Sequence, residues 1–219
     1  MQGGAPRAVW LTLDTDQRAI SVISAAQRLN EQCRPCHLVW DPLTGNVVQM
    51  LPVTRAACAL GTREHLHYEP PSRCVRECAS VNREGRLCVQ IGVLASATEP
   101  FTNCPMDRLA EILGWLDSWQ IPRRWPSGQP APFRQAEHRS RSRAQWARGG
   151  HFGASQVPDC TSIGPGGIDI DQLTGTGADS AAVAAHCSIR ESSVAPAAIR
   201  LERHGSRTPH APSLTAAGV

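Results

Sequence analysis

Residues Trp146 to Ile170 read WARGGHFGASQVPDCTSIGPGGIDI. After a short run of aromatic residues and glycines come two segments framed by glycine and proline, Gly153-Ala154-Ser155-Gln156-Val157-Pro158 and Ile163-Gly164-Pro165-Gly166. His151, Asp159 and Cys160 in the same stretch are residue types that can hold a metal. What the stretch does depends on the elements the rest of the chain builds around it.

The chain opens on a β-rich run, Ala8 to Leu13 (AVWLTL), and then on Ile20 to Leu29, whose apolar residues recur at helical spacing. A strand followed by a helix is the expected start of an α/β domain. Cys36–Asp41 (CHLVWD) and Val47–Leu51 (VVQML) flank Pro42-Leu43-Thr44-Gly45-Asn46, so a β-hairpin is predicted there. Gly61 to Val81 is a long polar stretch expected to be an irregular loop. After a turn at Asn82–Gly85, Arg86 to Ala95 (RLCVQIGVLA) alternates Leu87, Val89, Ile91 and Val93 with the small Cys88 and Gly92, the pattern of a central strand. Met106 to Trp119 carries a stripe of Leu109, Ile112, Leu113 and Leu116 between Pro105 and Pro122, which predicts a helix packed on the sheet. Arg123 to Trp146 is rich in Pro and Arg, so extended backbone and weak order are expected. From Thr174 to Val219, Ala, Ser, Gly, Thr and Pro dominate and a disordered tail is expected. The fold class is therefore a single α/β domain, residues 5–173, with a central mixed β-sheet flanked by helices, followed by a tail, 174–219.

Composition sets further bounds. The 219 residues suffice for one domain with a real core, and 41% hydrophobic content excludes global disorder. All 22 basic residues are Arg, which removes Schiff-base and P-loop lysine chemistry, and a net charge of +3 does not by itself call for a polyanion partner. Asp14 and Asp16 interrupt the first hydrophobic segment, so no secretory signal or membrane span is expected. The nine cysteines are scattered and odd in number, which reads as mostly reduced thiols in a cytoplasmic protein. Cys33-Arg34-Pro35-Cys36-His37 matches the spacing of haem attachment and of thioredoxin motifs, but it follows a helix and opens a strand, the reverse of the thioredoxin order. Pairing Cys33 and Cys36 with Cys74 and Cys78 as a zinc cluster stands as a weaker possibility.

On these elements, the Trp146–Ile170 stretch resembles the last metal-binding segment of the zinc-dependent N-acetylmuramoyl-L-alanine amidases, the family that includes the peptidoglycan recognition proteins. The hairpin is similar too, through Cys36-His37-Leu38-Val39-Trp40, Gly45, Val48-Gln49-Met50-Leu51-Pro52 and Arg55-Ala56. The resemblance implies the amidase fold and a groove for a muramyl peptide. It puts the three zinc-ligand positions at Leu11, Ala154 and Gly164, the position of the Glu that assists water attack at Gly92, and an oxyanion-steadying position at Ser162. Leu, Ala and Gly offer zinc no donor atom, so the resemblance implies a degenerate, non-catalytic member that expects no cofactor. Groove candidates are His37, Arg55, Cys58, His151 and Gln156. The expected partners are a muropeptide or peptidoglycan fragment, or a protein, with neither nucleic acid nor membrane.

Two rival readings remain. A relocated zinc site built from His151, Asp159 and Cys160 would restore an amidase. Alternatively, the run Arg134, Arg139, Arg141, Arg143 and Arg148, with Trp146 nearby, would make an Arg-rich interaction surface.

Overall fold

The computed structural model describes residues 4–15, 19–60, 87–133, 135 and 141–175. The chain divides into units Met1–Ser180 and Ala181–Val219, and every described residue belongs to the first. The predicted loop and turn at 61–85 and the tail beyond 175 lie outside the described residues.

Five strands form one mixed sheet: β1 (Arg7–Thr12), β2 (Leu38–Trp40), β3 (Val47–Gln49), β4 (Cys88–Val93) and β5 (Gly150–Gly153). Their order is β3-β2-β4-β1-β5, parallel except for the β2–β3 hairpin at the edge. The α/β class and mixed sheet expected from the sequence are thus observed. Helix α1 (Val22–Glu31) connects β1 to β2, and α2 (Leu109–Ser118) lies between β4 and β5. The first connection steps across β4 and the second steps back across β1. Right-handed crossovers running in opposite directions put their helices on opposite faces of the sheet.

The two cores agree with this. Val9 and Leu11 of β1 join Val22, Ala25, Ala26 and Leu29 of α1, whereas Ala8 and Trp10 join Val89, Ile91, Val93 and, from α2, Ile112, Leu113 and Leu116. The alternation read in Arg86–Ala95 is therefore real, and β4 is buried along its whole length.

Three local differences from the sequence reading have physical causes. Helix α2 starts later than Met106, because Met106 and Arg108 take left-handed φ of 60° and 65° while the Asp107 N–H and C=O bind the Pro42 carbonyl and the Trp40 indole. Its end at Trp119 agrees with Pro122, and the Ile121 N–H reaching back to the Leu116 carbonyl closes it. The Arg-rich segment is not all extended: α3 (Arg143–Ala147) forms there because the Ser142 hydroxyl accepts from the Gln145 N–H and Trp146 is buried. Finally, α4 (Ile170–Thr174), capped by the Asp169 carboxylate, carries the fold past residue 173, with Leu173 and Thr174 buried.

Arg7 anchors the start of β1. It is 2% exposed, its Nε donates to the Trp146 carbonyl at 2.8 Å, and its guanidinium lies 4.6 Å from the Trp146 ring centroid. A buried guanidinium held this way fixes α3 against the sheet just before β5 begins. Replacing it with methionine leaves the Trp146 carbonyl without this donor. We expect Arg7→Met to lower the unfolding free energy by about 2 kcal/mol in urea titration; no loss would mean that Arg7 contributes volume alone.

Candidate functional site

The positions singled out by sequence come from three distant segments, and the sheet gathers them. Leu11 of β1 lies in register with Gly92 of β4, and Trp10 with Gly153 of β5, immediately before Ala154. Leu11 and Ala154 share the α1-side core, and a Cβ built on Gly92 would point into the same side, 3.1 Å from Leu13 and 3.2 Å from the Cys36 sulfur. Gly164 closes the group from the following loop. Its carbonyl accepts from the Ser155 N–H at 2.7 Å, and a Cβ on it would come within 2.3 Å of the Thr12 hydroxyl. All four positions thus meet at the carboxyl ends of β1, β4 and β5, the end at which parallel α/β sheets bind ligands. Ser162 is half-buried beside them, its carbonyl held by Arg141 at 3.2 Å.

The residues at this point do not fit a zinc ion. Leu11 and Ala154 are buried apolar side chains, and Gly164 has no side chain and no space for one while Thr12 keeps its place.

The relocated set is not brought together. His151 faces the α2 side of the sheet in register with Ala8, Cys160 lies in the α1-side core, and Asp159 is exposed and ion-paired with Arg143. Among the described residues, no three His, Cys, Asp or Glu side chains gather as a metal site. The bonding of His151 adds a chemical objection. Its Nδ1 is 3.1 Å from the Trp10 indole nitrogen, which can only donate, so Nδ1 is the acceptor and the neutral ring carries its proton on Nε2. A neutral imidazole that binds metal through Nε2 needs the opposite tautomer. The ring is fully buried between Trp10, stacked with centroids 6.0 Å apart, and Trp125, and its Nε2 has no partner among the described residues.

The groove candidates divide between the two faces. His37 is buried; its Nδ1 accepts from the Gln90 N–H at 2.9 Å, so Nε2–H donates to the Arg55 carbonyl at 2.9 Å. Gln90 in turn accepts from the Ala59 N–H and donates to the Ala57 carbonyl, so His37 and Gln90 pin the 55–59 loop beside β2 and β4. The Arg55 side chain is exposed and Cys58 is half-buried. Gln156, near the opposite face, spends its amide on the Trp125 indole (2.6 Å), the Gly153 N–H (3.0 Å) and the Gly128 carbonyl (2.7 Å). His37 and Gln156 therefore hold backbone together.

The cysteine motifs take structural roles. Cys33, Cys36, Cys88, Cys104 and Cys160 are outside any disulfide and Cys58 is disulfide-bonded, an exception to the mostly reduced reading. Burial pushes the Cys36 thiol up to about 12, opposite to the lowered pKa of a redox or metal-binding thiol. Cys74 and Cys78 lie outside the described residues. Of the Arg run, Arg134 and Arg139 also lie outside them; Arg141 and Arg143 are engaged with Ser162 and Asp159 of the chain's own loop. Trp146 is buried under Arg7, so it offers no surface for base stacking.

Sequence reasoning missed the hydroxyls of Thr12 and Ser155. Both oxygens are buried and have no hydrogen-bond partner among the described residues.

Two expectations follow. Gly164→Ala should cost about 1–3 kcal/mol from crowding against Thr12, and adding Thr12→Ala should recover much of it; urea unfolding of the single and double variants measures both. For His151, burial lowers the pKa to about 4 from 6.5, with Asp117 opposing and Arg123 adding to the shift. The unfolded chain therefore takes up the proton first. Stability is complete above pH 6.5 and falls as pH drops toward 4, by on the order of 3 kcal/mol. His37, also lowered by burial, acts in the same direction. Unfolding midpoints between pH 7 and 4 should fall less steeply in His151→Gln than in the native protein, and an equal slope would refute the assignment.

Compared with family models, with curated proteins and with solved structures, the chain finds no match in any of the three.

Proposed function

We propose that the chain is a degenerate, non-catalytic relative of the N-acetylmuramoyl-L-alanine amidases that binds a soluble muropeptide at the carboxyl ends of β1, β4 and β5. The observation that supports this reading is the meeting of Leu11, Gly92, Ala154 and Gly164. These positions were picked by resemblance from segments up to 153 residues apart, and the sheet brings them to one end of its parallel strands.

The same residues argue against hydrolysis. An amidase of this type lowers the pKa of a metal-bound water and polarises the scissile carbonyl, and both steps need ligands with lone pairs. Leucine, alanine and glycine have none, and Gly92 cannot assist a water. What remains is a frame with loops at Leu13–Thr15, Ser96–Pro100 and Thr161–Gly167 around a sealed former metal position. Among the described residues no helix is long and apolar enough to cross a membrane. Its ligands in this reading are soluble wall fragments rather than intact wall.

Calorimetric titration with N-acetylmuramoyl-L-alanyl-D-isoglutamine tests the reading, together with elemental analysis for zinc and chromatography for released L-alanyl-D-isoglutamine. We expect saturable heat, no release and no stoichiometric zinc. Absence of binding would reject the muropeptide reading; release with one zinc per chain would replace it with a working amidase whose ligands lie elsewhere.

A further inference from the structure

Strand β5 ends the sheet on one side, and residues 122–129 run past its outer edge as a strap. The His151 N–H donates outward to the Arg124 carbonyl at 2.8 Å, and the Arg124 side chain reaches the carbonyls of Arg148 and Gly149. The Trp125 ring borders the His151 ring, with centroids 6.3 Å apart. Its indole is held by the Gln156 amide, which also donates to the Gly128 carbonyl at 2.7 Å, and Gln129 donates to the Ile168 carbonyl. Arg123, Arg124, Gly128 and Gln129 are exposed and Trp125 is half-buried. A segment fastened by a few polar bonds at the surface opens at lower free energy than buried strands do.

His151 lies between this strap and the core. Its Nδ1 takes the Trp10 indole proton, and its Nε2–H is buried without a partner among the described residues. A neutral amide oxygen would serve Trp10 equally well, so what an imidazole adds here is a second charge state. An incoming proton can enter only at Nδ1, which then confronts the Trp10 N–H as a second donor across 3.1 Å. Flipping the ring brings no relief, because both of its nitrogens now carry protons.

The charges around the ring do not compensate. From α2, the Asp117 carboxylate is already held through both oxygens by Arg123, at 2.6 Å at the closest. The strap contributes the cations Arg123 and Arg124, while β1 and the turn after β5 contribute the neutral Trp10 and Gln156. An imidazolium buried among such groups is driven toward water. Trp10 is fully buried, whereas Trp125 borders solvent, so the way out lies under the strap.

We propose that His151 is an acid-sensitive latch, whose protonation releases residues 122–129 from the outer edge of β5 while the central strands stay paired. The device is independent of the muropeptide reading.

Linkage sets its size. Closed, the ring has its pKa lowered from 6.5 to about 4; open, it returns to the ordinary value, so the open fraction rises as pH falls between the two. The rise amounts to about twentyfold from pH 7 to pH 5.

Hydrogen exchange of the full chain at low urea tests the latch, read at the backbone amide of position 151 and the Trp125 indole N–H and compared with the amides of β1 and β4. The first two are expected to exchange through an opening with little urea dependence, and their protection should fall about twentyfold from pH 7 to pH 5. In His151→Gln, whose amide oxygen can still accept from Trp10, that fall should vanish, and thermal unfolding confirms that the variant folds. Exchange of the strap with the full urea dependence of β1 and β4 overturns the proposal, because the strap then opens only when the protein unfolds. An equal fall in His151→Gln, or none in the native protein, overturns it too. A 13C–1H titration of the native His151 ring gives a reading that needs no variant: a midpoint well below 6.5 is expected, and one at 6.5 refutes the latch.

Discussion

The parallel pairing of β1 between β4 and β5 is the constraint on which the rest of this structure depends. A strand hydrogen-bonded on both sides and covered on both faces must be apolar throughout, and Ala8, Val9, Trp10 and Leu11 supply that. Arg7 is the exception at its entry, and there the guanidinium is bonded to the Trp146 carbonyl and stacked on its ring. With β1 lying between β4 and β5, the β1–β2 connection steps across β4 and the β4–β5 connection steps back across β1, so α1 and α2 cover opposite faces. The strand's end decides the site: Leu11 turns into the α1-side core while Thr12 sits against Gly164.

The sheet was legible because its periodicities are strong. Val89, Ile91 and Val93 alternate with Cys88 and Gly92, and the Pro42–Asn46 turn separates two β-rich runs, so strand, face and hairpin could be read directly. The start of α2 was not legible. Pro105 followed by apolar spacing satisfies the usual start signals, yet the backbone of Asp107 is drawn to Pro42 and Trp40, and that tertiary pull delays the helix. In the same way, nothing in a Pro- and Arg-rich composition reveals that Trp146 will be buried and α3 formed around it.

The site was half legible, for a different reason. A frame of glycines and prolines shows where chain segments can meet, and it led to Leu11, Gly92, Ala154 and Gly164. It says nothing about which face a side chain takes. His37 and Gln156 look like groove residues in a sequence because polar side chains near a site are usually available; here their hydrogen bonds to Arg55, Gln90, Trp125, Gly153 and Gly128 tie loops to the sheet.

His151 shows how far one hydrogen bond can carry an argument. Sequence proximity makes it the substitute ligand that the amidase resemblance would call for. Strand parity puts it on the face away from Leu11, Ala154 and Cys160, and the Trp10 indole, which has a proton to give and no lone pair to offer, fixes the ring in the tautomer that denies Nε2 to a metal. Releasing Nε2 would require breaking the bond from the Trp10 indole, at a cost of the order of an unpaired buried donor.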